Sequence, residues 1–225
     1  MSLPAGWIVP DWPAPARVRA FVTTRDGGVS EGEFASLNLG TAAGDDPARV
    51  EANRLAVRAH LPSSPRWLAQ VHGTAVADLD EAAGAGAAVA DAAVTSTPGR
   101  VAVVLTADCL PVFLCRGDGS RVAVAHAGWR GLAAGVLENA VAALGGGRER
   151  VLAWLGPAIG PGAFEVGPEV REAFIAAQGE SAQAFAPRGN GKYLADLYAL
   201  ARLRLGRAGV GAVAGGGYCT FTERE

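Results

Sequence analysis

The stretch RVAVAHAGWRGLAAGVLENAVAAL, residues 121–144, shows the pattern of a strand, then a glycine turn, then a helix. The run 121–125 is mostly β-branched and apolar, which is typical of a buried strand. Residues 132–144 are apolar nearly all round and are followed by glycines at 145–147, which predicts a buried helix with a glycine C-terminal signal. This layout favours a mixed α/β architecture and puts the turn at the carboxyl rim of a sheet, where α/β proteins bind ligands.

Two more apolar runs precede this stretch. The runs 101–105 and 110–115 each predict a short, largely buried strand, and Cys109 lies at the break between them. Further towards the N-terminus, the Ala/Gly-rich run 82–90 predicts a mobile loop.

Helix start signals occur on both sides of these runs. Asp46-Pro47 supplies a cap and a first-turn proline, which predicts a helix to about Leu61. A second helix is predicted to open at 167–169 and another after Asp196. Because no linker-like break divides the chain, we predict one domain over residues 1–225.

Composition and charge exclude several classes of function. Lys and Arg number 20 against 22 Asp and Glu, so the net charge of −2 gives no overall positive field, and we expect neither nucleic acid nor membrane as a partner. Three cysteines without close pairs argue against a disulfide framework or a zinc ribbon. The N-terminus lacks a leader pattern and no run of about 18 apolar residues occurs, so we expect a cytoplasmic protein.

The chain has three histidines, and two of them lie at predicted strand ends. His60 lies near the end of the first predicted helix, where a cation complements the helix dipole, so we leave it out of any site. His72 follows an apolar segment and precedes Gly73, which permits a sharp turn. His126 ends the strand of the opening stretch, so His72, His126 and Cys109 could meet at one rim.

Two imidazoles and a thiolate form a ligand set that suits zinc, and three protein ligands leave a fourth position for water or substrate. His72, Cys109 and His126 are remote along the chain, however, and carry no short-range zinc signature. Two other interpretations therefore stay open. The three residues are a buried cysteine with two hydrogen-bonded histidines, or Cys109 is a nucleophile that His72 or His126 deprotonates.

Two arginines and one asparagine are candidates for binding the rest of a substrate. Arg25 and Arg130 each lie beside glycines, where a guanidinium and backbone N–H groups could together hold phosphate or carboxylate. Asn38 either orients a ligand or closes an Asx turn.

Seven short motifs occur in order along the chain: TTRDGGVS (23–30), SLNLG (36–40), WLAQVHG (67–73), ADCLPV (107–112), HAGWRG (126–131), LGPAIGP (155–161) and FEVG (164–167). Together they resemble the laccase-domain family, also called the multicopper polyphenol oxidase or YfiH-type family. Its members include purine nucleoside phosphorylases and a peptidoglycan editing factor.

The resemblance implies a single-domain α-β-β-α layered sandwich with mixed sheets, and zinc, or else copper, held by His72, Cys109 and His126. It also implies metal-dependent phosphorolysis of adenosine, inosine and methylthioadenosine, and deamination of adenosine to inosine. We therefore expect a purine nucleoside and phosphate as partners of a monomer. Our own hypothesis adds that zinc activates water for attack on the purine C6, and that Arg25 or Arg130 holds the phosphate.

Other functions remain as alternatives. The first is a peptidoglycan-precursor editing amidase or cysteine-type hydrolase, and the second is a non-catalytic partner protein that uses the fold as a docking surface. Copper polyphenol oxidase ranks low, because three histidines cannot supply a mononuclear site and a trinuclear cluster, and the one methionine is Met1. Family members typically continue past segment 219–225 into another strand, so either this sequence is shortened or the domain lacks that final C-terminal strand.

Overall fold

The computed structural model describes residues 3–81, 86–146 and 151–223. Its strands are β1 (Leu68–Ala69), β2 (Val76–Asp78), β3 (Ala88–Val89), β4 (Ala92–Thr95), β5 (Leu110–Arg116), β6 (Val122–Ala127), β7 (Val151–Leu155), β8 (Glu165–Val166), β9 (Phe185–Gly189), β10 (Lys192–Ala195) and β11 (Ala212–Gly215). Its helices are α1 (Pro47–Arg58), α2 (Trp129–Ala134), α3 (Val136–Leu144), α4 (Pro168–Ala177) and α5 (Leu197–Arg207).

A six-stranded mixed sheet in the order β11-β7-β5-β6-β4-β2 forms the centre of the fold. Within it β4, β6, β5 and β7 pair antiparallel, whereas the edge strands β2 and β11 pair in parallel with β4 and β7. The remaining strands form an antiparallel sheet, β8-β10-β9, and a parallel pair, β1-β3. The predicted mixed α/β class with mixed sheets is thus confirmed, while the extent of one domain over residues 1–225 stays a prediction.

The two faces of the central strands contribute to different hydrophobic clusters. Ala123 and Ala125 of β6 belong to the main core, whereas Val124 between them packs with Leu79 in a smaller cluster. This alternation follows from the two-residue period of a strand. The main core is covered by α3 and α5, which bury Leu137, Leu144, Leu197, Leu200 and Leu205 in it. The sheet is therefore held rigidly on the face opposite the small cluster, which fixes the strand ends in space.

The predicted helix starts are confirmed. Asp46 caps α1 with its side chain and Pro47 occupies the first turn, although the helix ends at Arg58 rather than near Leu61. The side chain of Asp196 caps α5 in the same way. Within the described residues, no helix is long and apolar enough to cross a membrane.

The predicted strand at 101–105 is wrong. This run forms no sheet ladder, and at its end a side chain takes the place of a neighbouring strand. Leu105 donates its backbone N–H to Gln70 Oε1 at 2.7 Å and accepts a hydrogen bond from Gln70 Nε2 at 2.8 Å. Its backbone polar groups are thereby satisfied outside the sheet.

The helix predicted over 132–144 is interrupted. Gly135 adopts φ +106, a left-handed conformation that ends α2 and separates it from α3. Of the run 82–90, predicted as a mobile loop, residues 82–85 lie outside the described residues, and Ala88–Val89 form strand β3.

Candidate metal centre

Three side chains from separate parts of the chain converge at one rim of the central sheet. The potential ligand atoms of His72, Cys109 and His126 all lie within 4.8 Å of one another. His72 Nε2 is 3.9 Å from Cys109 Sγ, and the two imidazole rings meet edge to face with centroids 4.7 Å apart. His126 is 3% exposed, Cys109 is half-buried and His72 is exposed, so the group is open to solvent on one side.

Strand register explains why distant residues meet here. β5 pairs with β6 so that Leu110 lies opposite Ala127, and continuing this register sets Cys109 beside Gly128, two residues past His126. β4 pairs with β6 so that Ala92 lies opposite Ala125, which sets the preceding residue, Asp91, opposite His126. Two antiparallel pairings thus bring the thiol, an imidazole and a carboxylate to the same rim.

Asp91 is a site residue that the sequence analysis missed. Its side chain is fully buried, and each carboxylate oxygen accepts two hydrogen bonds. Oδ1 accepts from the His72 backbone N–H at 2.9 Å and faces His126 Nδ1 at 2.8 Å. Oδ2 accepts from the backbone N–H groups of Val71 at 3.1 Å and Gly73 at 2.7 Å. The only sequence signal was a single carboxylate within the apolar run AVADAAV, residues 88–94.

His72 has a backbone conformation that is uncommon for a residue with a side chain. Its φ is +59, in the left-handed region, where residues other than glycine are seldom found outside tight turns and functional sites. The three successive N–H groups at 71–73 all point to Asp91, and these hydrogen bonds hold the turn in this conformation. The turn directs the His72 ring towards Cys109.

Two glycines, Gly128 in the turn after β6 and Gly131 in helix α2, leave room for this group. A Cβ on Gly128 would lie 2.8 Å from His72 Cδ2, closer than real Cβ atoms come, and 3.0 Å from Cys109 Sγ, tighter than most real Cβ contacts. A Cβ on Gly131 would lie 2.7 Å from the Gly73 carbonyl oxygen. The glycines are needed for close approach of the backbone rather than for chain reversal.

Burial keeps the His126 imidazole and the Cys109 thiol uncharged at neutral pH in the metal-free protein. Burial lowers the pKa of His126 below its ordinary 6.5, against the opposing effect of Asp91. Burial raises the pKa of the Cys109 thiol above 9.0, and the negative charges of Asp108 and Asp91 add to this, while Arg130 opposes it. Burial by itself raises the pKa of Asp91, but its hydrogen bonds outweigh that and hold the pKa below 3.8.

Arg130 lies next to the metal group, whereas Arg25 and Asn38 make their hydrogen bonds within the segment before α1 and to α1 itself. The exposed guanidinium of Arg130 stacks over the Trp129 ring with Cζ 4.5 Å from its centroid. Arg25 donates through Nε and Nη2 to the carbonyl oxygen of Ala35. Asn38 closes an Asx turn by accepting from the Gly40 N–H at 2.9 Å. Within the described part of the chain, every hydrogen-bond partner of Arg25 and Asn38 lies between residues 25 and 53.

The segment near the C-terminus braces the loop that carries Cys109. Thr220 Oγ1 donates to the Asp108 carboxylate at 2.6 Å, and the Thr220 N–H donates to the Ala158 carbonyl at 3.1 Å. The Ile159 N–H donates to the Asp108 carbonyl at 2.9 Å. These hydrogen bonds connect the loop before β5, the loop after β7 and Thr220, and together they support the backbone beside Cys109. His60, in contrast, packs edge to face on Trp7, outside the metal group, with ring centroids 5.1 Å apart.

The donor set fits a transition-metal ion. When Asp91 accepts the Nδ1 proton of His126, the lone pair of Nε2 is free to bind a metal. Two imidazoles and one thiol then supply three ligands within 4.8 Å, and the exposed side at His72 leaves room for a fourth. Their chemistry suits zinc or copper.

Residues 19–225 match the family model described as multi-copper polyphenol oxidoreductase laccase. The chain belongs to this family.

Relatives that cover nearly the whole chain support this assignment. The chain is 56% identical over 218 residues to a Pseudomonas aeruginosa protein named purine nucleoside phosphorylase. The aligned residues make up 96% of this chain and 89% of the relative. The chain is 54% identical to the purine nucleoside phosphorylase YfiH of Escherichia coli, over 97% of this chain and 90% of the relative. The crystal structure of Neisseria meningitidis protein NMB0706 superposes with a TM-score of 0.92 at 52% identity, covering 97% and 90% of the two chains.

Proposed function

We propose that this protein is a metal-dependent purine nucleoside phosphorylase that acts on adenosine, inosine and methylthioadenosine and also deaminates adenosine. The observation that carries the proposal is the convergence of His72, Cys109 and His126 with ligand atoms within 4.8 Å. The names of the Pseudomonas and Escherichia relatives, at 56% and 54% identity, support the choice of substrate.

In phosphorolysis, a phosphate oxygen bonds to C1′ of the ribose as the bond from C1′ to N9 breaks. The base leaves with the proton that the phosphate gives up. Adenosine and inosine give ribose 1-phosphate, methylthioadenosine gives 5-methylthioribose 1-phosphate, and each releases a free purine. The phosphate needs a cationic group beside the reacting carbon. Arg130 is our first choice, because it is exposed and its charge acts on Cys109. Arg25 is the second choice, since two of its nitrogens already donate to Ala35.

Deamination replaces the amino group at C6 of adenosine with an oxygen from water and releases ammonia. A Zn²⁺ ion held by His72, Cys109 and His126 would supply a Lewis acid and lower the pKa of water for this attack. The chain itself contributes the orientation of its ligands. Asn38 would orient the substrate, although its Oδ1 already accepts from the Gly40 N–H and its Nδ2 already donates to Asp45 Oδ2 at 3.0 Å.

Two exposed valines, one directly before His72 and one two residues before Asp91, would offer apolar surface to a purine ring. Val71, directly before His72, is 60% exposed, and Val89 is 65% exposed. Val89 is the register partner of Ala69, so it lies on the strand beside the segment that leads to Val71. A flat heterocycle that covers these side chains would remove apolar area from water.

The cysteine-hydrolase alternative is less favoured by the geometry. The pKa of the Cys109 thiol is raised above its ordinary value, whereas a nucleophilic cysteine needs a lowered one. The 3.9 Å between Cys109 Sγ and His72 Nε2 also exceeds the reach of a strong hydrogen bond to a base. Comparing the release of base from adenosine with hydrolysis of a muropeptide by the same preparation separates the two functions.

The central experiment pairs metal analysis with an activity assay. Protein purified without added metal is analysed for bound zinc and copper, and base release from adenosine is followed with and without phosphate. We expect bound zinc and phosphate-dependent base release, and His126→Ala loses both. His60→Ala is the matched control, because His60 lies outside the metal group, and it keeps both. If His126→Ala retains its metal and its turnover, the proposal is wrong.

A further inference from the structure

We propose that Asp91 is a positioning residue that orients both imidazoles of the metal group and selects the tautomer of His126. Because one carboxylate reaches both histidines, it couples two metal ligands that lie far apart in the sequence. The inference rests on the metal-binding part of the proposed function and does not depend on which substrate is used.

The hydrogen-bond partners of Asp91 determine where the proton of His126 lies. Asp91 faces three backbone N–H groups, at Val71, His72 and Gly73, and these can only donate. The carboxylate therefore acts as an acceptor on both oxygens. The fourth partner, His126 Nδ1, must then also donate, so its proton is on Nδ1.

The nitrogen of His126 that remains for a metal is Nε2, because Nδ1 faces Asp91. An uncharged imidazole with its proton on Nδ1 presents a lone pair on Nε2, which is the form that binds a metal. The opposite tautomer would place a proton on Nε2 and block coordination. The ring has little freedom to turn, because His126 is 3% exposed and its backbone N–H also donates to the Asp91 carbonyl at 2.7 Å. Asp91 thus determines both the direction and the tautomer of this ligand.

Asp91 positions His72 through the backbone turn at residues 71–73. Its side chain is exposed, so packing alone does not fix the ring. The ring direction depends on the left-handed turn, which is held by the hydrogen bonds from 71–73 to Asp91. Asp91 is itself fixed, because its N–H donates to the Ala75 carbonyl at 3.1 Å beside strand β4. The exposed ligand is therefore positioned through its backbone.

Asp91→Asn is the sharpest substitution because it keeps the shape and replaces one acceptor oxygen with an NH₂ donor. An NH₂ group at the Oδ1 position opposes the His72 N–H and donates to His126 Nδ1, which moves the ring proton to Nε2. An NH₂ group at the Oδ2 position opposes the N–H groups of Val71 and Gly73. Either orientation disturbs one of the two histidines.

The matched control is Asp80→Asn. Asp80 also accepts several hydrogen bonds, from Thr95, Ser96 and Arg100, and also lies beside strand β4, but it makes none of these contacts with the metal group. Binding of Zn²⁺ and of Co²⁺ is measured by titration of the metal-free proteins, and the Co²⁺ absorption spectrum reports ligand geometry. We expect Asp91→Asn to bind at least about tenfold more weakly with an altered spectrum, and Asp80→Asn to bind within about twofold of wild type.

A measurement on the wild-type protein covers the case in which Asp91→Asn does not fold. The chain has three histidines, so nitrogen NMR of the imidazoles gives a simple spectrum in the metal-free protein. We expect His126, assigned by its loss in His126→Ala, to carry its proton on Nδ1. A folded Asp91→Asn variant with its NH₂ group at the Oδ1 position is expected to lose this preference. A wild-type His126 protonated on Nε2, wild-type metal affinity in Asp91→Asn, or an equal loss in Asp80→Asn would each overturn the inference.

These results also separate the inference from the proposed function. If the wild-type protein binds neither Zn²⁺ nor Co²⁺, the metal-dependent function fails, and a tautomer on Nε2 is then a separate failure of the role of Asp91. If the wild type binds metal and only Asp91→Asn behaves like wild type, the metal site stands and the positioning role does not.

Discussion

Gly128 approaches Cys109 closely at the turn that follows β6. A Cβ built on Gly128 would lie 3.0 Å from Cys109 Sγ, although the backbone at Gly128, with φ −61 and ψ 151, is one that any residue can adopt. The requirement for glycine at 128 is therefore steric rather than conformational. The space that a methyl group would fill adjoins the metal group itself.

Gly128→Ala is accordingly expected to weaken Zn²⁺ binding by at least about tenfold, because the methyl group displaces the sulfur or the His72 ring by several tenths of an ångström. Overpacking also lowers the free energy of unfolding by about 1 to 3 kcal/mol. Metal titration and urea unfolding measure the two effects. Gly162→Ala is the control, since nothing lies within 4 Å of its Cβ position. Wild-type affinity in Gly128→Ala would contradict the close approach described here.

Gln70→Leu tests the side chain that replaces a strand. Gln70 makes two hydrogen bonds to the backbone of Leu105, and it lies two residues before His72. Leucine keeps the bulk and leaves the part-buried N–H and C=O of Leu105 without partners, which lowers the free energy of unfolding by about 2 to 3 kcal/mol.

Because the run at 101–105 leads to Cys109, we also expect metal affinity in Gln70→Leu to fall by a factor of about three or more. Gln183→Leu, at an exposed position, is the control for both measurements. Unchanged stability in Gln70→Leu would show that Leu105 finds other partners.

The three free cysteines are expected to differ in their rates of alkylation. Hydrogen bonding, chiefly from Thr222, lowers the pKa of Cys219, whereas burial raises the pKa of Cys109 and raises that of Cys115 to about 11. Iodoacetamide at pH 8 should modify Cys219 first, Cys109 more slowly and the fully buried Cys115 only after unfolding. Peptide mass spectrometry measures each rate.

Zn²⁺ is expected to protect Cys109 and to leave the rate at Cys219 unchanged, since Cys219 is outside the metal group. Cys219 therefore serves as the internal control in the same sample. An alkylation rate at Cys109 that is the same with and without Zn²⁺ would argue against the sulfur as a ligand.

Local patterns predicted the parts of the fold that local interactions determine. The strand–turn–helix pattern at 121–144 appears as β6, α2 and α3, because apolar periodicity and glycine signals act within a few residues. The break at Gly135 was hidden, since the apolar pattern continues through it. The error at 101–105 has the opposite cause, a partner 35 residues away, at Gln70, that no local pattern reveals.

The candidate ligands could be named from the sequence, but their convergence could not be derived from it. His72, Cys109 and His126 were candidates because of residue type and position at strand ends, while the register of β5 on β6 brings Cys109 to the turn after His126. Asp91 was missed because a carboxylate becomes informative only when the pairing of β4 with β6 sets it opposite His126. Such pairings depend on the whole sheet.

Acid stability is expected to depend on Asp80, which lies at the other end of β4 from the metal group. Burial by itself raises the pKa of Asp80, but hydrogen bonds from Ser96, Thr95 and Thr97 outweigh this and hold the pKa well below its ordinary value of 3.8. A carboxyl group with a depressed folded-state pKa stabilises the fold at pH values above its unfolded-state pKa. That contribution is lost as the pH falls from about 4 towards the folded-state value.

Asp80→Asn should therefore lower the free energy of unfolding by about 2 kcal/mol at pH 7, and the difference from wild type should shrink steadily below pH 4. Urea unfolding at pH 7, 5, 4 and 3 measures it. Asp26→Asn is the control, at an exposed carboxylate, and is expected to follow wild type at every pH. A difference between Asp80→Asn and wild type that stays constant down to pH 3 would mean that the carboxylate charge is not what Thr95 and Ser96 stabilise.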